Sequence, residues 1–349
     1  MSTAGPPQGA KAPLGGSDLH AVKERGGQRI RVARRPVHGV LLLDKPIGLS
    51  SNQALQKAKW LLRAEKAGHT GTLDPLATGV LPLCFGAATK FSQMHLDADK
   101  TYLATARLGL KTSTGDAEGE VISERPVQVT QAQLTDVVQG LTGPIRQVPP
   151  MHSALKKDGK ALYEYARAGI EVERAARDVT IYELKVTQAL VDSAQPAIEF
   201  IAKCSKGTYI RTLGEDMGEA LGCGAHLTAL RRIRTGDFDA SQCITLEALE
   251  AMDENARLAR LMPVESLLTG HTVVTLDSEN AARFLSGMRR RGPWADAQEV
   301  VVYASGPRAL LGTAHVKAGE LIPGRLLSPV EISEVQAQNE LLKLAESEL

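Results

Sequence analysis

The sequence predicts an α+β fold, in which helices flank a mixed, mainly antiparallel sheet and a small, mostly β domain follows. Three observations indicate this fold. Runs typical of short strands outnumber helical runs, and the two do not alternate in the regular order of a doubly wound parallel sheet. The succession of strand-like and helical runs is also interrupted between Pro263 and Gly270. The segment that follows contains one capped helix and several short strand-like runs.

Composition places the chain among ordinary globular proteins. Of its 349 residues, 43% are hydrophobic and 23% are charged, which is enough apolar material for more than one domain. No apolar run is long enough to cross a bilayer, and the N-terminus shows no secretion signal. The four cysteines have no paired spacing and are expected to be reduced thiols. We therefore expect a cytoplasmic protein with no membrane partner.

The net charge of +1 is the sum of two oppositely charged ends. Residues 1–35 carry seven Lys and Arg against two acids, whereas residues 328–349 carry five Glu against one Lys. The first segment has few large apolar residues and is predicted to be a disordered basic arm, which either adds weak contacts to phosphates or serves no specific role. Residues 330–349 are predicted to form an acidic helical tail.

The ordered part begins with a strand, a turn and a helix. Residues 40–43 are a short apolar strand. The turn at residues 45–48 leads to a helix that Ser50 or Ser51 can cap. Apolar residues then recur at helical spacing as far as Leu62, so this helix has one face directed at a core.

Residues 68–79, GHTGTLDPLATG, hold three glycines, three threonines, one histidine and an Asp-Pro pair. Glycine and proline at this density mark a loop with an unusual backbone path. One interpretation is a functional site, because constrained loops that hold an acid and a histidine often carry function. The other is a plain turn, which Asp74 begins by bonding its own backbone. Local chemistry alone favours the turn.

A strand and a capped helix follow, separated by a polar loop. Residues 100–110 alternate as a strand, with Tyr102 and three small or apolar residues on one face. Residues 112–120 are a Gly-rich polar loop. Thr130 and Gln133 have the spacing of a capping box, and the helix they open has an apolar face.

Two basic segments are typical of contact with nucleic acid. Between residues 146 and 177, lysines and arginines are interleaved with Tyr163 and Tyr165, a combination that suits an RNA backbone and its bases. A solvated helical face is the alternative. Strand-like runs follow at residues 179–186 and 198–204, and then a helix. The second basic cluster comprises Arg231, Arg232 and Arg234.

The common cofactor and metal motifs are missing from the sequence. It has no Walker loop, strand-linked GxGxxG motif, HExxH motif, GxSxG elbow or zinc-type cysteine cluster. Cys223 and His226 are close in sequence, but no second ligand pair lies near them. We therefore expect no cofactor and no metal, and chemistry that comes from Asp, Arg, Tyr and His side chains.

Five blocks of the sequence are notable for their content and their order: LLLDKPIGLSSN, GHTGTLDPLATGVLPLCFGAATK, KTYLATARLG, residues 148–169 and CSKGTYIRTLGEDMGEALGCGAHLTALRR. Taken together, they resemble the bacterial TruB family of tRNA pseudouridine synthases, which modify uridine 55 in the T-loop. The resemblance covers about residues 36–330. It implies a pseudouridine synthase catalytic domain at 36–268, with an RNA-contacting insertion at about 146–177, and a PUA-like RNA-binding domain at 269–329.

The resemblance also implies three residues at the centre of the reaction. Asp74 matches the catalytic aspartate of the family, Arg211 matches the arginine that pairs with it, and Tyr102 matches the tyrosine that stacks on the target base. Without the resemblance, Arg211 would be taken for a surface charge. Tyr102 would be taken for an aromatic residue of the core.

Further residues are implied to bind the RNA or support the site. His69 matches the residue that inserts into the T-loop near the flipped-out uridine. Tyr209 and Leu230 match residues that line the uridine pocket. Lys45 and Pro46 fall in the first motif of the family, which we interpret as support for the site.

The implied activity is the isomerisation of one uridine in the tRNA T-arm. Asp74 either attacks C1′ as a nucleophile or removes a sugar proton to give a glycal, and a cationic Arg211 would keep it ionised. Two alternatives stay open: a tRNA-binding folding factor whose catalysis is secondary, and an enzyme that acts on another RNA with a similar loop. No long apolar surface stripe is found, so we expect a monomer.

Overall fold

The computed structural model describes the backbone of residues 33–347 and the side chains of residues 33–340, so the predicted arm at 1–35 lies almost wholly outside the described residues. In chain order the strands are β1 (Gly39–Lys45), β2 (Ala67–His69), β3 (Ala77–Phe85), β4 (Lys100–Leu108), β5 (Leu110–Thr112), β6 (Val121–Glu124), β7 (Gly143–Gln147), β8 (Lys156–Lys157), β9 (Lys160–Ala161), β10 (Arg177–Leu190), β11 (Ala197–Cys204), β12 (Ala225–Thr235), β13 (Phe238–Asp239), β14 (Ile244–Thr245), β15 (Thr272–Leu276), β16 (Arg290–Arg291), β17 (Ala297–Ser305), β18 (Arg308–Lys317) and β19 (Glu320–Leu326). The helices are α1 (Ser51–Leu61), α2 (Ser92–Leu96), α3 (Gln131–Leu141), α4 (Leu162–Arg167), α5 (Ile210–Ala220), α6 (Leu246–Ala251), α7 (Glu254–Ala259), α8 (Ser278–Leu285) and α9 (Pro329–Ser347). None of these helices is both long and apolar enough to cross a membrane, within the part of the chain described.

A ten-stranded sheet dominates the first two thirds of the chain. Its order is β14-β1-β3-β12-β4-β11-β10-β7, with β2 added to β3 and β13 to β12. The pairs β14-β1 and β3-β12 are parallel, and the other pairs are antiparallel. Helices α1, α3 and α5 share an apolar core with one face of this sheet. The prediction of a mixed, mainly antiparallel sheet flanked by helices is therefore confirmed.

The large sheet buries apolar side chains on both faces. In β1, Leu41 and Leu43 face the helices, whereas Val40 and Leu42 face the opposite side. Successive strand residues point to opposite faces, so this unbroken apolar run serves two cores. On the second side the strand belongs to an apolar core that also contains Tyr303 of a separate sheet.

That second sheet forms the small C-terminal domain. Its order is β15-β17-β18-β19-β16, and its pairs are antiparallel except β15-β17. Helix α8 packs into it through the fully buried Phe284. The side chain of Asp277 caps this helix by accepting from the N–H of Asn280. The predicted small, mostly β domain is confirmed.

The acidic tail is a helix that is attached to the rest of the chain. Lys90 Nζ lies 2.6 Å from Oε2 of Glu331, and His38 Nε2 lies 3.1 Å from Oε2 of Glu334. Val335, on the same helix, is buried in the core behind the large sheet. The first turns of α9 are therefore packed against the domain and do not project into solvent.

Caps fix the starts of two predicted helices. Ser50 caps α1 by accepting from the N–H of Gln53, whose side chain accepts in return from the N–H of Ser50. The capping box predicted at Thr130 is present on α3. Ser51 has a different role, because its hydroxyl bonds the backbone of Leu73. Of the two serines, Ser50 is thus the cap.

Neither β3 nor β12 is predicted from the sequence, although they lie side by side at the centre of the large sheet. β3 is buried almost throughout and β12 carries arginines among its apolar residues, so neither alternates as a half-buried strand does. The two strands approach closely at Gly79. There φ is +97°, and an added Cβ would lie 2.2 Å from the carbonyl oxygen of Arg232.

The three arginines of β12 do not form the exposed basic cluster that the sequence suggests. Arg232 is 1% exposed. Arg231 makes a two-pronged pair with Asp44, and Arg234 lies 3.3 Å from Asp239. Neighbouring residues of a strand point to opposite faces, so Arg231 and Arg232 cannot share one surface.

Replacement of Gly79 by alanine tests the close approach of β3 and β12. Gly79→Ala is expected to lower the free energy of unfolding by about 2 kcal/mol or more, because φ is positive and the new Cβ would overlap the backbone of Arg232. Urea denaturation followed by circular dichroism measures this loss. Gly68→Ala is the matched control, since no atom lies within 4 Å of its Cβ position. Equal losses in the two variants would contradict the close approach.

Candidate active site

Asp74 lies in the loop between β2 and β3, and two neighbouring elements hold this loop. The Ser51 hydroxyl accepts from the N–H of Leu73 at 2.8 Å and donates to its carbonyl at 3.0 Å. The N–H of Gly48 donates to the carbonyl of Pro75 at 2.8 Å. The start of α1 and the turn before it therefore fix the backbone on both sides of Asp74.

Lys45, at the end of β1, holds the same turn from inside the protein. Its side chain is buried, and its ammonium donates to the carbonyls of Pro46, Leu49 and Pro75 at 2.8, 2.5 and 3.4 Å. Burial lowers the pKa of Lys45 to about 8, and the negative charge of Asp74 opposes this shift. Lys45 thus supports the loop backbone and places a positive charge behind it.

Arg211, in the first turn of α5, is the centre of the charge network. Its side chain is 5% exposed, and its Nε lies 3.0 Å from Oδ2 of Asp74. Nη1 donates to the carbonyl of Thr114 at 2.9 Å, and Nη2 donates to that of His152 at 2.6 Å. Nη1 also lies 3.4 Å from Oδ2 of Asp116. The alternative of a surface charge is therefore wrong for Arg211.

Asp116 is a candidate that the sequence does not single out. It lies in the Gly-rich loop at 112–120, and its side chain is 3% exposed. The Thr114 hydroxyl donates to its Oδ1 at 2.5 Å, and the N–H of Glu118 donates to the same atom at 3.1 Å. Aspartates in polar loops are mostly solvated, so only burial beside Arg211 reveals this one. The sole sequence signal is the density of Gly, Thr and acids around it.

Opposing charges act on the Asp74 carboxyl. Burial raises its pKa above the ordinary value, Arg211 lowers it, Asp116 raises it and Lys45 lowers it. The side chain is still 38% exposed, so one side of the carboxylate is open while Arg211 holds the other. The arrangement suits an oriented carboxylate that meets a substrate.

Tyr102 and Leu230 lie on the neighbouring strands β4 and β12, and both are buried. In the register of these strands Tyr102 is opposite Arg232, and Leu230 is opposite Ala104, so all four share one face of the sheet. Burial raises the pKa of the Tyr102 hydroxyl, Arg232 opposes this, and the charge of Asp74 adds to it. Tyr102 is thus a buried strand aromatic and also within electrostatic reach of Asp74.

Tyr209 immediately precedes α5 and is half-buried. The Gln147 side chain accepts from its N–H at 3.0 Å and donates to its carbonyl at 3.3 Å. Burial raises the pKa of the Tyr209 hydroxyl, and Asp74 is among the charges that act on it. Tyr209 and Arg211 are therefore brought to the same site as Asp74 by one helix start.

His69, the last residue of β2, pairs with Leu83 of β3 and is half-buried. Its Nδ1 is buried without a hydrogen-bond partner among the described residues. Burial lowers the pKa of His69, and the charge of Arg232 lowers it further, so the ring favours its neutral form. A neutral, half-buried ring at the edge of the loop is free to contact an uncharged part of a ligand.

Possible metal ligands do not gather as a group of three or more His, Cys, Asp or Glu among residues 33–340, whose side chains the structure describes. His226 is buried, and its Nδ1 lies 2.9 Å from the carbonyl oxygen of Leu110. Cys223 is also buried. The pair that the sequence brings close is thus part of the packing around α5 and β12.

Comparison with known proteins decides the family. The family model described as "TruB family pseudouridylate synthase (N terminal domain)" matches residues 59–210, and the one described as "tRNA pseudouridylate synthase B C-terminal domain" matches residues 211–269. The chain belongs to the TruB family. This confirms the resemblance on which the site residues were chosen.

Relatives of the TruB-family chain match it over most of its length. The tRNA pseudouridine synthase B of Verminephrobacter eiseniae is 64% identical over 312 residues, which are 88% of this chain and 94% of that protein. The protein of the same name from Ralstonia nicotianae is 59% identical over 310 residues, which are 87% of this chain and 99% of that protein.

Solved structures support the same fold. A chain from the crystal structure of a Cbf5-Nop10-Gar1 complex has a TM-score of 0.64 and 26% identity, and the match covers 84% of the TruB-family chain and 86% of that chain. A chain from an archaeal box H/ACA sRNP Nop10-Cbf5 complex has a TM-score of 0.62 and 22% identity, with the same coverage. The second likeness concerns the fold alone.

The pKa of Asp74 should move in opposite directions when its two neighbours are neutralised. Arg211→Gln removes a charge that lowers the pKa, so the carboxyl is expected to titrate at higher pH than in the parent. Asp116→Asn removes a charge that raises the pKa, so titration at lower pH is expected. NMR of labelled aspartate carboxyl carbons measures both shifts, with Asp74→Asn to assign the signal. Movement in the same direction would contradict the network.

Proposed function

We propose that this TruB-family chain is a tRNA pseudouridine synthase that isomerises the uridine at position 55 of the T-loop. The observation that carries the proposal is the Asp74–Arg211 pair, 3.0 Å apart in a site that also holds Tyr102 and Tyr209. The relatives at 59–64% identity support it through the activity in their names. The target position and the T-arm come from the family motifs in the sequence.

The reaction replaces one bond by another within a single nucleotide. The bond between C1′ of the ribose and N1 of uracil breaks, the base turns, C1′ bonds to C5, the C5 proton leaves and N1 takes up a proton. Asp74 either attacks C1′ as a nucleophile or removes a sugar proton to give a glycal. Both routes need an ionised carboxylate, which the Arg211 guanidinium favours and aims.

The target base must leave its stack within the tRNA before it reaches Asp74, at a cost of a few kcal/mol. The Tyr102 ring recovers about 1–3 kcal/mol of this by stacking on the base. Leu230, on the same face of the neighbouring strand, forms the pocket wall, and Tyr209 lines the pocket near Arg211. His69 enters the T-loop and occupies space that the flipped base leaves.

The insertion at residues 146–177 contacts the RNA backbone in this proposal. Lys160 Nζ lies 4.8 Å from the centre of the Tyr165 ring, and the Arg167 guanidinium lies 5.3 Å from the centre of the Tyr163 ring. Tyr163 is exposed and Tyr165 is half-buried, and cations placed over accessible aromatic rings suit phosphates and bases together.

The remaining segments complete the proposed organisation. Residues 36–268 form the catalytic domain, residues 269–329 form a PUA-like RNA-binding domain, and residues 1–35 add salt-sensitive contacts. The protein acts on tRNA in the cytoplasm as a monomer. Sedimentation velocity tests the monomeric state directly.

Asp74→Asn is expected to reduce the rate of isomerisation below about one-thousandth of the parent rate, because an amide neither attacks C1′ nor takes a proton from the sugar. Release of tritium from tRNA labelled at C5 of uridine measures the rate, and filter binding measures affinity for tRNA, which is expected to persist.

Asp136→Asn is the matched control, because Asp136 is exposed on α3 and the chemical change is identical. It should leave both rate and affinity unchanged. Full activity of Asp74→Asn would overturn the assignment of the carboxylate.

A single change in the RNA tests the target position. A tRNA transcript with cytidine in place of uridine 55 is expected to release no tritium, whereas an isolated T-arm hairpin that keeps this uridine is expected to be a substrate, because the proposed contacts lie within the arm. Unrelated RNAs of equal length serve as controls. Undiminished release from the cytidine transcript would place the modified uridine elsewhere.

A tRNA-folding role is the second candidate, and the exposed cation–aromatic pairs of the insertion favour it. The arginines of β12 do not, because one is buried and two are paired. This role requires that Asp74→Asn still refolds misfolded tRNA while Lys160→Ala with Arg167→Ala does not.

A further inference from the structure

Arg232 is the largest side chain that is fully buried in the described part of the chain. No carboxylate oxygen of the described residues lies within 4.0 Å of its nitrogens, unlike the other buried guanidinium of the site, Arg211. A buried cation without an ion-pair partner is costly, so its bonds to other groups have to offset that cost. Those bonds point to its role.

The Arg232 guanidinium holds the backbone of the Asp74 loop. Its Nη2 donates to the carbonyl of Gly71 at 3.2 Å, and its Nε donates to the carbonyl of Val80 at 2.8 Å. Gly71 and Val80 stand on either side of Asp74 in the sequence, so one planar group ties together both ends of the loop. The fit is close, because an added Cβ at Gly71, where φ is +79°, would lie 3.3 Å from Nη1.

Arg232 is also a direct cross-strand neighbour of Tyr102. The two residues are opposite each other in the pairing of β12 with β4 and lie on the same face of the sheet. Burial raises the pKa of the Tyr102 hydroxyl, and the positive charge of Arg232 opposes this shift. The loop that carries Asp74 and the ring that meets the base are thus both neighbours of one buried group.

We propose that Arg232 is a positioning residue, which holds the Asp74 loop and the Tyr102 ring in a fixed relation so that the carboxylate meets C1′ while the base lies on the ring. The inference rests on the proposed function. Arg232 is not a catalytic residue in this account, because it acts on the substrate only through Tyr102 and the loop.

Lysine cannot replace arginine in this role. A guanidinium donates in several fixed directions within one plane, whereas an ammonium is a compact point charge on a flexible stem. Arg232→Lys keeps the charge but loses the simultaneous bonds to Gly71 and Val80, and with them the fixed position of the guanidinium beside Tyr102. Arg232→Met removes the buried charge together with its desolvation cost, so this variant is expected to fold even if the lysine variant is unstable.

The test compares single-turnover release of tritium from C5-labelled tRNA with tRNA affinity in the same preparations. Both Arg232→Lys and Arg232→Met are expected to bind tRNA like the parent and to lose about 100-fold in rate, because a small misplacement of reacting groups has an effect of that size. Arg257→Lys is the matched control. Its guanidinium also donates to main-chain carbonyls, among them those of Leu249 and Leu61 at 2.9 and 3.2 Å, and Leu61 is at the opposite end of α1 from Ser51, which holds the Asp74 loop.

A double-mutant cycle separates positioning from general destabilisation. If Arg232 acts through Tyr102, Arg232→Lys costs less in the Tyr102→Phe background than in the parent, and the combined loss is smaller than the product of the single losses. A merely structural arginine would give losses that multiply.

The inference is overturned if the Arg232 variants lose no more rate than Arg257→Lys, if they lose tRNA affinity in proportion to rate, or if the losses in the cycle multiply. A parent protein that releases no tritium would instead overturn the proposed function, so the two failures are distinguishable.

Discussion

The site depends on the bonds of the Arg211 guanidinium, because three separate segments of the chain meet at this group. Two carboxylates and two main-chain carbonyls surround it, from the Asp74 loop, the loop at 112–120 and the insertion at 146–177. A planar group with five donors can satisfy such a set, and no other side chain can. One cation shared by the buried Asp116 and the partly exposed Asp74 leaves negative charge in excess. Burial is the main cause of the raised pKa of Asp74, and Asp116 adds to it, whereas Arg211 and the buried ammonium of Lys45 oppose it.

Two buried arginines make different contacts around Asp74. Arg211 holds the carboxylate, whereas Arg232 holds the backbone on either side of it. Arg232 also explains two of the three glycines of the motif, because the loop lies directly on its guanidinium at Gly71 and β3 lies directly on its backbone at Gly79. The backbone path of the motif therefore depends on Arg232, which is more than 150 positions away in the sequence.

Local signals in the sequence are enough to predict the helices that have recognisable caps and the strands whose residues alternate clearly. The capping box at Thr130, the cap at Ser50 and the alternation around Tyr102 all predict what the structure contains. The two central strands escape prediction, because burial on both faces and interleaved arginines remove the alternating pattern. Asp116 escapes for another reason. Its importance comes from its contact with the buried Arg211, which is distant in sequence. The residues of a polar loop give no signal of such a contact.

The family motifs identify the six site residues, and the structure gives the physical relations between them. Tyr209 and Arg211 share one helix start, Tyr102 and Leu230 share one face of the sheet, and each acts on or lies beside the same loop. Residue spacing alone shows none of these relations, since β4, β12 and α5 come from different parts of the chain.

The hydrogen bond from Arg211 to the carbonyl of His152 has a consequence for how the protein can evolve or be engineered. The insertion at 146–177 also supplies, at 2.6 Å, one of the four contacts of the guanidinium beside the carboxylate, and the side chain of Gln147 at its base bonds the backbone of Tyr209. Its exposed side chains are free to vary, but its main-chain path and Gln147 are not. Grafting this segment between relatives would therefore preserve chemistry only where the graft reproduces the course of the backbone from Gln147 to His152.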